Sequence, residues 1–150
     1  MYEQLKLENQ LCFRFYTVSR LITQAYRPLL CRLGVTYPQY LVLLVLWEQD
    51  GQPVNDIAKR LYLETNTMTP LLKRMEQEGL VTRHTGEQDS RKVIVRLTEK
   101  GRSLEDLARD IPLEMGASYT CRDISPDKLG ELYRQLDSLT ETFKTSTSKL

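Results

Sequence analysis

Residues 54–101 read VNDIAKRLYLETNTMTPLLKRMEQEGLVTRHTGEQDSRKVIVRLTEKG, and the spacing of apolar residues within this stretch implies a particular architecture. Val54, Ile57, Ala58 and Leu61 give one apolar face of a short helix. Met68, Leu71, Leu72 and Met75 give a second, at i, i+3, i+4 and i+7. Only Tyr62-Leu63-Glu64 separates the two, with Leu63 where such turns often carry glycine. Thr65 is expected to cap the second helix, Pro70 to bend it slightly and Gly79 to close it. Leu80 to Thr85 and Lys92 to Thr98 are short, basic, strand-like runs around the turn Gly86-Glu87-Gln88-Asp89-Ser90. The order is a helix-turn-helix followed by a β-hairpin.

Helices flank this unit on both sides. Upstream, Leu11, Phe15, Val18, Ile22, Ala25 and Leu29 alternate steps of four and three, a helix with a coiled-coil-like seam. Thr36-Tyr37-Pro38-Gln39 reads as a capping box that opens a second helix, buried on all sides from Tyr40 to Trp47 and ended by Asp50-Gly51-Gln52-Pro53. Downstream, Thr98 caps a helix bearing Leu104, Leu107, Ala108, Ile111 and Met115, with a kink expected at Pro112. Ser125-Pro126 opens the last helix, where Leu129, Leu132, Leu136, Leu139 and Phe143 form a stripe suited to a partner helix. The fold class is mainly α with a small β-hairpin wing (α+β). We expect one domain over 1–150, with a winged helix-turn-helix at 53–98 and a helical dimerisation frame from 1–50 and 99–145.

Composition excludes several classes. The chain has 150 residues, 41% hydrophobic and 27% charged, without an apolar run near the roughly 18 residues of a membrane span. The opening Met-Tyr-Glu-Gln-Leu-Lys has no apolar stretch, so a cytoplasmic protein without membrane association is expected. Three scattered cysteines (Cys12, Cys31, Cys121) and one histidine (His84) support neither a disulfide scaffold nor a metal site, and no cofactor is expected. The same scarcity weakens enzyme readings. The net charge of +1 hides an asymmetry: residues 54–102 hold ten basic against seven acidic groups, so a polyanion would dock there.

The quoted stretch also resembles a known family. Leu71-Leu72-Lys73-Arg74-Met75-Glu76 with Gly79-Leu80-Val81, then Asp89-Ser90-Arg91 and Leu97-Thr98-Glu99-Lys100-Gly101, are similar to the helix, wing and post-wing motifs of MarR-family transcription regulators. The resemblance implies a homodimer on a pseudo-palindromic double-stranded operator, acting as a repressor. With the four apolar residues turned inward, the outward arc of the second helix holds Asn66, Pro70, Lys73, Arg74 and Gln77, with Thr65, Thr67 and Thr69 beside them. These types read base edges and phosphates, although any solvated helix face also carries them. By resemblance Arg91, with Lys92 next to it, enters a minor groove and Asp89 holds it; a surface ion pair is the plainer reading.

A narrower resemblance lies at the N-terminus. Leu7-Glu8-Asn9-Gln10-Leu11-Cys12-Phe13 with Tyr16, Tyr26-Arg27-Pro28-Leu29-Leu30 and Thr36-Tyr37-Pro38-Gln39-Tyr40 are similar to the organic hydroperoxide resistance repressors and their staphylococcal redox-sensing relatives. In that group the cysteine matching Cys12 senses peroxide and tyrosines matching Tyr26 and Tyr37 hydrogen-bond its sulfur, with Tyr16 nearby; the implied effector is an organic hydroperoxide or other oxidant. From periodicity alone Cys12 reads as a small buried hydrophobe, and the tyrosines as interface packing. Tyr26 lies about 21 Å along the helix from Cys12, so only an antiparallel partner crossing near Ser19 would bring them together. Cys121 falls where two-cysteine members carry a resolving thiol and is otherwise a bystander; Cys31 reads as structural. The rival readings are a repressor released by a small aromatic or phenolic ligand, and a thiol peroxidase.

Overall fold

The computed structural model describes residues 2–86, 91–120 and 125–147, without the side chains of 118–120 and 146–147. Its order is α1 (Leu11–Cys31), α2 (Tyr37–Glu48), β1 (Gln52–Pro53), α3 (Val54–Arg60), α4 (Thr65–Gln77), β2 (Val81–Thr85), β3 (Val93–Leu97), α5 (Glu99–Ala108), α6 (Ile111–Thr120) and α7 (Pro126–Thr147). Two short 3-10 turns, Glu3–Leu5 and Leu7–Asn9, precede α1. The chain forms two compact units, Met1–Asp110 and Ile111–Leu150.

The core of the first unit is built on α2. Tyr40, Val42, Leu43, Val45 and Leu46 are all buried, each stabilising the fold by roughly 1.5–3 kcal/mol through burial. The capping box forms as expected: the Thr36 backbone N–H donates to Gln39 Oε1 at 2.8 Å. Against this helix pack Ile57 and Ala58 of α3 and Met68, Leu72 and Met75 of α4, all buried. The wing is a three-stranded antiparallel sheet in the order β1-β3-β2, with Arg83 opposite Val95 and Gln52 also opposite Val95 on the other edge. Thr98 caps α5 by accepting from the Gly101 N–H at 3.0 Å.

Five details differ from the sequence expectations. The helix carrying Leu104 to Met115 breaks rather than kinks, because Pro112 has no N–H and its ring excludes the carbonyl at 108; α5 ends at Ala108 and α6 begins at Ile111. Leu107 is 65% exposed, off the buried face of that helix. Glu64, extended at φ −71°, occupies the cap position of α4, while the Thr65 hydroxyl turns to Asn55 Oδ1 at 3.4 Å. The left-handed residue of the turn is Tyr62 (φ 54°), one position before Leu63. The strand β1, set by pairing with β3, was not anticipated.

In the second unit Ile111 and Met115 of α6 are buried. On α7, Leu129, Leu136 and Leu139 are half-buried, whereas Leu132, Tyr133 and Phe143 are exposed.

Candidate nucleic-acid interface and thiol site

Full burial of Met68, Leu72 and Met75 sets the rotation of α4 and leaves Asn66, Thr67, Pro70, Lys73, Arg74 and Gln77 exposed, with Thr65 exposed and Thr69 half-buried. Thr69 Oγ1 donates to the Thr65 carbonyl at 2.9 Å, and Thr67 Oγ1 to Asn66 Oδ1 at 3.3 Å. Lys73 and Arg74 take part in no ion pair among the described residues, so their charge faces outward uncompensated. A cleft of about 190 Å³ brings Thr65 and Thr69 of α4 together with Arg91 and Lys92 at the start of the last wing strand. Asn55 and Arg83 complete its rim. Neither was singled out from sequence, although Arg83 falls on the half-exposed phase of its strand. Asp89 lies outside the described residues.

The same arginine fixes the wing to the helix. Arg83 donates its backbone N–H to Glu76 Oε1 at 3.0 Å, and its Nε and Nη2 to Glu76 Oε2 at 3.0 and 2.8 Å. These bonds hold the Glu76 carboxyl below its ordinary pKa. A lowered folded-state pKa makes the tether's contribution complete above the ordinary carboxylate pKa and removes it as pH falls through the lowered value. Glu76→Gln should therefore cost up to about 1 kcal/mol at neutral pH for this partly exposed pair, with parent and variant converging once the pH falls below the lowered carboxyl pKa. Denaturant titrations across the acid range measure this; a gap that widens on acidification would contradict it.

The thiol region is divided within one chain. Cys12 and Tyr16 lie one turn apart on α1, both exposed, and the Arg20 guanidinium sits 5.8 Å from the Tyr16 ring and donates to its hydroxyl at 3.4 Å. At the far end of the helix the Tyr26 ring is 5.0 Å from that of Tyr37 and 6.0 Å from that of Tyr40. Tyr40 meets Trp47 edge-on at 6.3 Å, and Trp47 Nε1 donates to the Gly101 carbonyl at 3.0 Å. Burial raises the pKa of Tyr37, and burial followed by the neighbouring Tyr37 raises that of Tyr40, so both remain protonated donors. Tyr26 and Tyr37 are thus brought together, while Cys12 is fourteen residues away along α1, about 21 Å. Leu11, Phe15 and Val18 share one side of α1 and are exposed, as are Phe13 and Leu21.

Cys31, read as structural, is exposed on the wall of a cleft of about 720 Å³ between α1 and α2. Arg20 and Arg27 line this cleft together with Thr36 and Tyr37, and among the described residues no acidic side chain does. Cys121 lies outside the described residues.

Comparison with known proteins places this architecture. The family described as transcriptional regulator SarA/Rot matches residues 24–107, more than half of the chain. The organic hydroperoxide resistance transcriptional regulator of Bacillus subtilis is 47% identical over 141 residues, 94% of either protein. The chain belongs to the MarR/SarA family of winged-helix transcriptional regulators. Among solved structures, reduced AbfR of Staphylococcus epidermidis bound to DNA has a TM-score of 0.78 at 39% identity, covering 95% of this chain and 96% of that one. Disulfide-formed AbfR has a TM-score of 0.61 at 42% identity, covering 92% and 95%. This MarR/SarA regulator is a DNA-binding protein whose relatives regulate transcription and are not enzymes. Among its described residues no helix is long and apolar enough to cross a membrane.

Proposed function

We propose that this regulator is a homodimeric repressor that senses organic hydroperoxide through Cys12 and leaves its operator on oxidation. The observation that carries the reading is the division of the thiol site: an exposed Cys12 beside an exposed apolar face of α1, and a packed pair of phenol donors at the helix's other end. Two α1 helices crossing antiparallel near Ser19 cover that face and set Cys12 beside Tyr26 and Tyr37 of the partner subunit. The phenols favour the thiolate by donating to it. The sulfur attacks the terminal peroxide oxygen, the O–O bond breaks, and the alkoxide leaves with a proton, so thiol and hydroperoxide become sulfenic acid and alcohol. The relationship to a hydroperoxide resistance regulator, and to a protein known in both reduced DNA-bound and disulfide forms, supports this chemistry. The experiment that tests it is Cys12→Ser, developed in the Discussion.

Residues 53–98 form the reading head in this proposal, and residues 1–50 and 99–145 the dimer frame. Asn66, Pro70, Lys73 and Arg74, with Thr65, Thr67 and Thr69, enter the major groove; Arg91, Lys92 and Asp89 form the minor-groove tip. Two such heads about 34 Å apart suit a pseudo-palindromic operator. Arg91→Ala should weaken operator binding by about 1–3 kcal/mol and leave the dimer and fold intact, because the residue is exposed beside the wing turn. Unchanged affinity across several salt concentrations would remove the wing from the interface. On α7, replacing Leu132, Leu136 and Leu139 together by serine should give a monomer in sedimentation, since the Leu129 to Phe143 stripe is left partly exposed in one chain. A triple variant still sedimenting as a dimer would place the interface elsewhere.

The cleft holding Arg20 and Arg27 favours a second reading, release by a small aromatic or phenolic ligand. An equal response of Cys12→Ser and parent to the same effector would select it.

A further inference from the structure

Gln39 is the most deeply buried polar side chain among the described residues, at 1% exposure, and its amide is divided between two distant parts of the fold. Its Oε1 accepts from the Thr36 backbone N–H at 2.8 Å and from the Thr36 hydroxyl at 3.1 Å, closing the first turn of α2. Its Nε2 donates to Glu78 Oε2 at 2.6 Å. Glu78 is the C-cap of α4, its N–H donates to the Arg74 carbonyl, and its own carbonyl accepts from Lys100 Nζ at 2.8 Å. One buried amide therefore links the start of α2, two residues after Tyr37, to the end of the helix that displays Lys73 and Arg74.

We infer that the Gln39–Glu78 hydrogen bond is the positioning contact through which a change at Tyr37 reaches α4. The inference rests on the proposed sensor reading and deepens it. Tyr37 is the first residue of α2, and its ring packs 5.0 Å from Tyr26. Conversion of the partner's Cys12 to a sulfenic acid or disulfide changes what these phenols donate to. A shift of Tyr37 moves the first turn of α2, and with it Gln39. The amide cannot follow by rotating in place, because turning Oε1 away leaves the Thr36 N–H without its acceptor, and turning Nε2 away leaves Glu78 without its donor. A short bond to a carboxylate is stronger than a neutral one, and a buried amide that loses a partner is costly, so the contact behaves as two discrete states, made or broken. Gln39 touches neither peroxide nor DNA; it acts through Glu78 and α4. Simple packing at this point would support α4 equally in the reduced and oxidised protein, whereas a relay distinguishes the two.

That difference defines the experiment. Operator affinity is measured for the full-length reduced protein and again after complete oxidation of Cys12, followed by mass spectrometry, for the parent, Glu78→Ala and Glu78→Gln. Glu78 is exposed at its helix end, so both variants should fold. Glu78→Ala should oxidise at Cys12 at the parent rate, yet show a ratio of reduced to oxidised affinity at least fivefold smaller than the parent's. Glu78→Gln keeps an acceptor for Gln39 Nε2 and should restore the ratio to within about twofold. If Glu78→Ala lowers both affinities by the same factor, or keeps the parent's ratio, the relay is overturned while the sensor stands. A parent whose affinity ignores Cys12 oxidation overturns the sensor reading and the relay with it.

Discussion

A Cys12→Ser protein is expected to stay on its operator at cumene hydroperoxide doses that release the parent completely. Serine preserves the size of the side chain and the helix around it, so affinity in the reduced state should match the parent's. A hydroxyl has neither the acidity nor the nucleophilicity to open an O–O bond, so the response should fall by two orders of magnitude in dose or vanish. Release of the variant at parent doses would end the sensor assignment. The product in the parent is expected to be a disulfide between Cys12 and Cys121 of the partner subunit, with Cys31 remaining a thiol. A peroxide-dependent dimer band on a non-reducing gel, reversed by dithiothreitol and absent in both Cys12→Ser and Cys121→Ser, identifies it. If Cys121→Ser still releases DNA and the parent forms no crosslink, oxidation stops at a one-cysteine product. Such a disulfide requires the two Cα atoms within about 7 Å, which is a demand on the dimer rather than on the single chain.

Gly101→Ala is expected to destabilise the protein by roughly 3 kcal/mol or more, against the sign that helix propensity alone assigns. A Cβ at this position would stand 2.1 Å from the Leu80 carbonyl oxygen and 3.1 Å from Leu97 Cδ2. The carbonyl cannot withdraw freely, because it accepts the Thr98 N–H at 3.1 Å and the Thr98 hydroxyl at 3.1 Å. The glycine's own N–H and carbonyl are committed to Thr98 and Trp47. The first turn of α5 therefore has no direction in which to yield except away from the wing. Chemical denaturation measures the effect, and a variant as stable as the parent would show that the close approach relaxes cheaply. The same approach explains why the stretch Leu97-Thr98-Glu99-Lys100-Gly101 reads as a unit: the threonine caps, Lys100 reaches the end of α4, and the glycine lets α5 lie against the backbone at Leu80.

The features legible in the order of residues are mostly local. The Thr36 and Gln39 box, the Thr98 cap, the opening of the last helix at Ser125-Pro126 and the inward face of Met68, Leu72 and Met75 all rest on partners within a turn or two, so periodicity and capping chemistry expose them. The family resemblance, carried by ordered short motifs, extended this to the winged helix and to Cys12 as the candidate thiol. The features decided by tertiary structure join positions far apart in the chain. The edge strand β1 exists only because β3 accepts it. Thr65 lost the cap position when its hydroxyl found Asn55, and left-handed geometry fell on Tyr62 rather than Leu63 as the turn met the packing of two helices. The break at Pro112 was visible as a proline, but whether a helix bends or ends there depends on what the following turn can bury, here Ile111 and Met115. Gln39 looked complete as a capping residue, yet its second bond, thirty-nine residues away, has no periodic signature at all. A side chain with two hydrogen-bonding ends reveals one of them in the sequence when that partner is local; the other is known only once the folded chain brings it within reach.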